Sequence, residues 1–282
     1  MIPSSFDYRA PRSLEEAIGL LGKYGDEAKI LAGGHSLLPL MKLRLAVPEI
    51  VVDLGKIPAL QYIREDGNEI AIGAMTTYVA IEDSAVVRTG VPILWQTAGM
   101  VGDAQVRNRG TIGGAAAHAD PAGDIPTVLV ALRATMVARG PSGERTIGAE
   151  EFFQDVFTSA LQPDEILTEI RVGRPRGAGD YQKFRRRMVD WAIVGVAAHA
   201  VRNNGSIESA SIVLTNVGSR PIRAIAVEHA LEGGPASADV IRRASDLAGD
   251  DIDPSPELHA SADYKKHLAR VLTRRALEKV LA

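Results

Sequence analysis

The chain has 282 residues, 46% of them hydrophobic and 24% charged, with a formal net charge of −3. Such a composition describes a folded globular protein large enough for more than one core, and it offers no basic field for nucleic-acid phosphates. There is no cysteine, which excludes disulfides, thiolate nucleophiles and cysteine-ligated iron–sulfur clusters, so redox chemistry would need a bound organic cofactor or a partner chain.

The opening residues, Met1 to Ser13, lack a charged-then-apolar targeting segment. A helix is expected from Ser13 to Gly25, where Ser13 and Glu16 have capping-box spacing, Leu14, Ala17, Ile18 and Leu21 share a face, and Gly25 closes the last turn. Lys29 to Ala32 is a short apolar strand that runs into Gly33-Gly34, His35, Ser36 and a helix from Leu37 to Arg44. Pro48 to Gly55 is a second buried strand. Strands are expected at Tyr62 to Arg64 and Glu69 to Gly73, with helices at Thr77 to Asp83 and Ile93 to Val101.

Asp120 and Pro121 have the N-cap and first-position residues of a helix, with Ile125 to Leu132 as its body. Thr135 to Arg139 and Arg145 to Ile147 form a hairpin, and Glu165 to Val172 is a further strand. Gly173 to Gly179 reads as a linker. Beyond it, Tyr181 to Arg187, Trp191 to Val201 and Ile207 to Val217 suggest a three-stranded antiparallel sheet with Asn204-Gly205 at one turn. Helices follow at Ile222 to Leu231, Ala238 to Leu247 and Ser261 to Leu281. Boundaries near Gly55 and at the linker divide the chain into 1–55, 56–175 and 176–282. The longest nearly apolar run, Trp191 to Val201, contains His199 and falls short of the ~20 residues of a membrane helix. A cytoplasmic protein with no transmembrane segment is expected.

Two glycine loops carry the chemical information. In "LAGGHS" the glycines allow positive φ and close backbone approach, while successive N–H groups and Ser36 suit a phosphate or diphosphate; a plain structural turn is the competing reading. The loop matches neither the Walker pattern nor the GxGxxG fingerprint. In "TIGGAAAHADPAGD", Thr111 offers a hydroxyl, Gly113-Gly114 repeats the close-approach device, and Ala115 to Ala117 leave room for something flat. Asp124 would lie in a first helical turn, where the macrodipole favours an acid, and could accept hydrogen bonds from ribose or adenine. Two such loops far apart in sequence suit one long dinucleotide such as FAD. No triad, HExxH motif or carboxylate pair is present, as expected where an organic cofactor carries the chemistry. His35 and His118 have no third ligand at metal-binding spacing. Arg185, Arg186 and Arg187 could form a partner patch, a diphosphate counter-charge or a solvated strand, and Trp191 reads as core or as a neighbour of the cofactor.

The segments "AGGHSLLPLMK", "VRNRGTIGGAAAHADPAGD", "LQPDEILTEI" and "KFRRRMVDWAIVGVAA" occur in the order and spacing of a known family. Across essentially its whole length the chain resembles the FAD-binding medium subunits of molybdenum hydroxylases, the family of carbon monoxide dehydrogenase medium chains and xanthine dehydrogenase flavin domains. The resemblance implies an α+β protein with the PCMH-type FAD-binding fold, in which two α/β subdomains are followed by a C-terminal α+β domain. It also implies FAD as cofactor and no catalytic residue or metal on this chain. By position, Ile30, Leu31, Ala32, Gly33, Gly34, His35, Ser36 and Leu37, with Thr111, Ile112, Gly113, Gly114 and Ala115, would surround the diphosphate and ribityl chain. His118, Gly123 and Asp124 would serve the adenosine end, Leu161 the flavin ring, Lys183 the flavin side, and Val101 and Gly102 the ring edge. Many relatives have Asn or Ser where this chain has Ala115, which removes one side-chain hydrogen bond. The implied partners are a large molybdopterin-binding subunit and a small 2Fe–2S subunit, in a dimer of heterotrimers that passes electrons to an external acceptor. The alternative is a stand-alone FAD- or nucleotide-binding module, a sensor or an assembly factor.

Overall fold

The computed structural model describes residues 2–250 and 252–282. The chain opens with β1 (Asp7–Arg9), α1 (Leu14–Tyr24), β2 (Ala28–Leu31), α2 (Leu37–Lys42) and β3 (Ile50–Asp53). Three parallel strands form the first sheet, in the order β1-β3-β2. Ser13 caps α1 by accepting from the Glu16 N–H, while the Glu16 carboxylate reaches back to the Arg12 N–H, one residue earlier than a capping box requires. The second helix stops at Lys42, because Arg44 turns into the left-handed region at φ 59°.

Next come β4 (Ile63–Asp66), β5 (Glu69–Gly73), α3 (Tyr78–Asp83), α4 (Ala85–Gly90), α5 (Pro92–Met100), α6 (Ala104–Arg109), α7 (Ile112–His118) and α8 (Asp124–Ala131). After them follow β6 (Thr135–Gly140), β7 (Gly143–Gly148), α9 (Ala149–Phe152), β8 (Phe153–Asp155), β9 (Thr158–Ser159) and β10 (Ile166–Gly173). The second sheet runs β4-β5-β10-β6-β7, and each of its pairings is antiparallel. A core of residues such as Ile70, Ile72, Leu94, Leu129 and Ile170 lies between this sheet and the helices.

Two local expectations fail in this region. "IGGAAAH" is the helix α7, with Thr111 as its N-cap accepting from the Gly114 N–H, although two glycines make it a poor helix former. Asp120 does not cap α8: its carboxylate accepts from the Ala122 N–H, and Gly123 is the N-cap. The reason is Pro126. In a helix begun at Pro121 it would fall in the interior and leave the Ala122 carbonyl unpaired, whereas in α8 it sits in the first turn, where its missing N–H costs nothing.

The last third of the chain contains β11 (Ala178–Phe184), β12 (Val194–Asn203), β13 (Ser206–Thr215), β14 (Ile222–Arg223), α10 (Ile225–Leu231), α11 (Ala238–Asp246) and α12 (Ala262–Val280). The antiparallel sheet has four strands, since Ile222 and Arg223 pair with β13 before α10 begins. One face packs α12 and the other packs α5 and α8. The segment between β10 and β11 is pinned rather than free, with Arg174 paired to Glu65 and Arg176 to Glu208. The first strand ends at Phe184 and not at Arg187, and the second begins at Val194, which leaves Trp191 60% exposed and outside the core.

Candidate functional site

A cleft of about 540 Å³ opens between the β2–α2 loop, the α7–α8 segment and the end of β11. Of the residues expected at the site, Ile30, Ala32, Gly33, Gly34, His35, Ser36, Leu37, Val101, Gly102, Thr111, Gly113, Gly114, Ala115, His118, Gly123, Asp124, Leu161 and Lys183 line it. Leu31 and Ile112 do not; Ile112 is fully buried in the core behind α7. The size falls within the ~300–1,000 Å³ of ordinary cofactor clefts.

The two glycine loops contribute differently from what their sequences suggest. Among the described residues, the N–H groups of Gly33, Gly34, His35 and Ser36 have no hydrogen-bond partner, so the first loop presents four successive free donors beside the cleft. In the second loop the donors are taken. The N–H of Ile112 is given to Thr76, that of Gly113 to Ala74, and that of Gly114 to the Thr111 hydroxyl.

Their glycines are required by the protein itself. A Cβ on Gly113 would stand 2.6 Å from the Ala74 carbonyl oxygen, and one on Gly33 would stand 2.3 Å from the carbonyl oxygen of Arg109. Gly114 approaches Ala32, whose Cβ would be 3.3 Å away. The loops are pressed together, and α7 gives the cleft a wall of small side chains in Gly114, Ala115 and Ala117.

At the far wall Asp124 is 4% exposed and both carboxylate oxygens are engaged. Oδ1 accepts from the Tyr181 hydroxyl at 2.6 Å and Oδ2 from Lys183 Nζ at 2.7 Å. Burial pushes the Asp124 carboxyl above its ordinary range, opposed by the Lys183 ammonium and the Tyr181 hydrogen bond. Lys183 Nζ also reaches the Met100 carbonyl at 3.4 Å, and Arg185 reaches the same oxygen at 3.2 Å. Asp124, Lys183, Val101 and Gly102 therefore gather at one end. A division that sends Asp124 to one end of a long ligand and Lys183 to the other does not survive a 2.7 Å ion pair.

His118 stacks on Phe157 with ring centroids 4.9 Å apart, and burial lowers its pKa. Val189, Asp190 and Trp191 lie along the rim.

Two family profiles together match nearly all of this architecture. The FAD binding domain in molybdopterin dehydrogenase matches residues 4–175, and the CO dehydrogenase flavoprotein C-terminal domain matches residues 180–280. The chain belongs to the FAD-binding subunits of the molybdopterin dehydrogenases. Relatives in this family include the carbon monoxide dehydrogenase medium chain of Hydrogenophaga pseudoflava, 41% identical over 98% of this chain and 97% of the relative. Another is subunit alpha of the 6-hydroxypseudooxynicotine dehydrogenase complex of Paenarthrobacter nicotinovorans, 39% identical over 100% of this chain and 96% of that one. The solved carbon monoxide dehydrogenase from Hydrogenophaga pseudoflava that lacks the Mo-pyranopterin moiety superposes with a TM-score of 0.97 at 42% identity, covering 99% of this chain and 98% of the other. Quinoline 2-oxidoreductase from Pseudomonas putida 86 gives 0.96 at 33% identity, covering 100% and 98%.

As a member of these FAD-binding subunits, the chain is part of an oxidoreductase, its fold is the PCMH-type FAD-binding fold with its C-terminal domain, and its cofactor is FAD. The residues present fit that cofactor. Four free N–H groups suit a diphosphate, the small-residue wall suits an extended chain, and a nearly enclosed ammonium, that of Lys183, borders the same cleft. No helix among the described residues is long and apolar enough to cross a membrane.

Sequence reasoning missed Tyr78 and Tyr181; of its two readings of Trp191, core or neighbour of the cofactor, the exposed place along the cleft agrees with the second. Tyr78 is buried against Gly110, where a Cβ would stand 2.7 Å from its ring. A signal for Tyr181 was present: along a strand it shares a face with Lys183 two positions later, and with Arg185 two beyond that.

Proposed function

We propose that this chain is the electron-transferring flavoprotein subunit of a molybdenum-containing hydroxylase, taking electrons from 2Fe–2S clusters on a small partner subunit and passing them to an external acceptor. Substrate oxidation would occur at a molybdenum cofactor on a large subunit, and the assembly would be a dimer of such heterotrimers. The observation that carries this reading is the run of unpaired N–H groups from Gly33 to Ser36, residues that line a cleft, in a chain without cysteine. Such a chain can hold FAD but cannot ligate the clusters that would reduce it.

When bound, FAD supplies a ring that accepts and releases electrons, and the protein supplies position and electrostatics. Gly33, Gly34, His35 and Ser36 would hold the diphosphate through their N–H groups. Ile30, Ala32, Leu37, Thr111, Gly114 and Ala115 would line the ribityl chain, with Gly113 holding α7 in place behind them. Lys183, Asp124, Val101, Gly102 and Leu161 would surround the ring end. His118 would lie toward the adenosine, while Gly123, bonded to Asp124, would stand with it at the ring end. Residues 1–55 and 56–175 would clasp the cofactor and residues 176–282 would bring Lys183 and Trp191 against it.

The test mixes the FAD-loaded chain with substrate, with and without its molybdopterin-binding and cysteine-rich partners. Bleaching of the flavin absorbance only when both partners are present is expected. Bleaching by the chain alone, or none in the complete mixture, would overturn the proposal in favour of a stand-alone module.

A further inference from the structure

We infer that Tyr181 is a positioning residue for the flavin end of the cleft, fixing the Lys183 ammonium through the Asp124 carboxylate. This rests on the reading that the ring end of FAD lies beside Lys183. Tyr181 is fully buried on β11, and its hydroxyl is 2.6 Å from Asp124 Oδ1. The other oxygen of the same carboxylate holds Lys183 Nζ at 2.7 Å. One donor on each oxygen leaves Asp124 no freedom to turn, and the two side chains of the ion pair are only 2% and 3% exposed.

A chain of hydroxyls sets the direction of the tyrosine's proton. The Gly123 carbonyl can only accept, so the Thr127 hydroxyl donates to it at 3.2 Å. Thr215 in turn donates to Thr127 at 2.6 Å. With the Thr215 proton spent there, it cannot be given to the Tyr181 oxygen 3.4 Å away. The phenol proton is directed to the nearer, charged acceptor, Asp124.

Space for the phenol is made on the neighbouring strand. Gly195 is the register partner of Lys183, and a Cβ there would stand 2.4 Å from the Tyr181 hydroxyl oxygen. A phenylalanine would fill the same apolar volume without the oxygen. What the oxygen adds is its bond to Asp124, and through it the place of the ammonium. Without that bond, Lys183 is, among the described residues, the one remaining side-chain donor to a buried carboxylate and is drawn fully onto it, away from the ring.

The experiment uses the full chain with Tyr181→Phe and follows FAD affinity by flavin fluorescence and the two-electron potential of the bound flavin. Weaker binding of oxidised FAD is expected, with about tenfold further loss for the reduced form, equivalent to a potential lower by ~30 mV. An unchanged or higher potential overturns the inference. Gly195→Ala crowds the same hydroxyl without touching the ion pair and is expected to shift the potential in the same direction; should Tyr181→Phe fail to fold, an unchanged potential in Gly195→Ala overturns the inference instead. If Lys183→Met leaves both readouts unchanged, the placement of the flavin ring is wrong, and the fault lies with the cleft reading rather than with Tyr181.

Discussion

Gly33 lies against Arg109 so closely that a Cβ on the glycine would stand 2.3 Å from the arginine's carbonyl oxygen. Two loops separated by the whole of α2 to α6 meet here backbone to backbone, and neither backbone is free to retreat. Gly33→Ala is expected to cost the apo protein about 1–3 kcal/mol through overpacking and to weaken FAD binding at the same time. Urea unfolding without FAD is the deciding measurement. If the apo stability is unchanged and only FAD affinity falls, the glycine serves the ligand and not the loop contact.

Ala115 is half-buried on the cleft side of α7, the position directly after the second Gly-Gly pair. Ala115→Asn adds a polar group at the cleft surface and should leave the fold intact. One added hydrogen bond is worth about 1 kcal/mol, so FAD is expected to bind several-fold tighter in a fluorescence titration. Weaker binding would show that small volume, and not a missing donor, governs this position.

Lys183→Met strands a carboxylate that is 4% exposed, and breaking a buried pair from one side costs about 3–5 kcal/mol near neutral pH. Burial already holds the Asp124 carboxyl above its ordinary range, with Lys183 opposing the rise. A carboxyl raised in the folded state contributes its full stability below the unfolded value, about pH 4, and loses it as the pH rises through the folded value. Without Lys183 the folded value climbs further. The stability deficit of Lys183→Met is therefore expected to shrink as the pH falls from neutral toward the unfolded carboxyl value, about pH 4, while Asp124 takes up a proton. A deficit that stays constant across this range would show that Asp124 is not the group left exposed to the change.

Trp191 is 60% exposed at the rim of the cleft. Trp191→Ala is expected to leave apo stability within about 0.5 kcal/mol while altering FAD affinity and flavin fluorescence. A loss of several kcal/mol without FAD would return this residue to the core.

While short elements such as β1, α4, α6, α7 and β14 appear only in the structure, the sequence by itself determined the longer helices and strands, the two Gly-Gly pairs, the absence of any cluster-ligating cysteine and the family. These follow from local patterns: the capping geometry at Ser13, the apolar run "IVVD" of β3, the Gly-Gly pairs and the order of four motifs. The tertiary structure decided what those residues are for. Gly113 is a glycine because Ala74, brought in from the end of β5, leaves no space for a Cβ, and the same contact holds a glycine-rich segment in a helix that its propensity opposes. Asp124 is committed to Tyr181 and Lys183, which reach it from a strand 57 and 59 positions along the chain. Periodicity and propensity describe neighbours within a turn or a strand, while close packing and the pairing of buried charge are set by groups that only folding brings together.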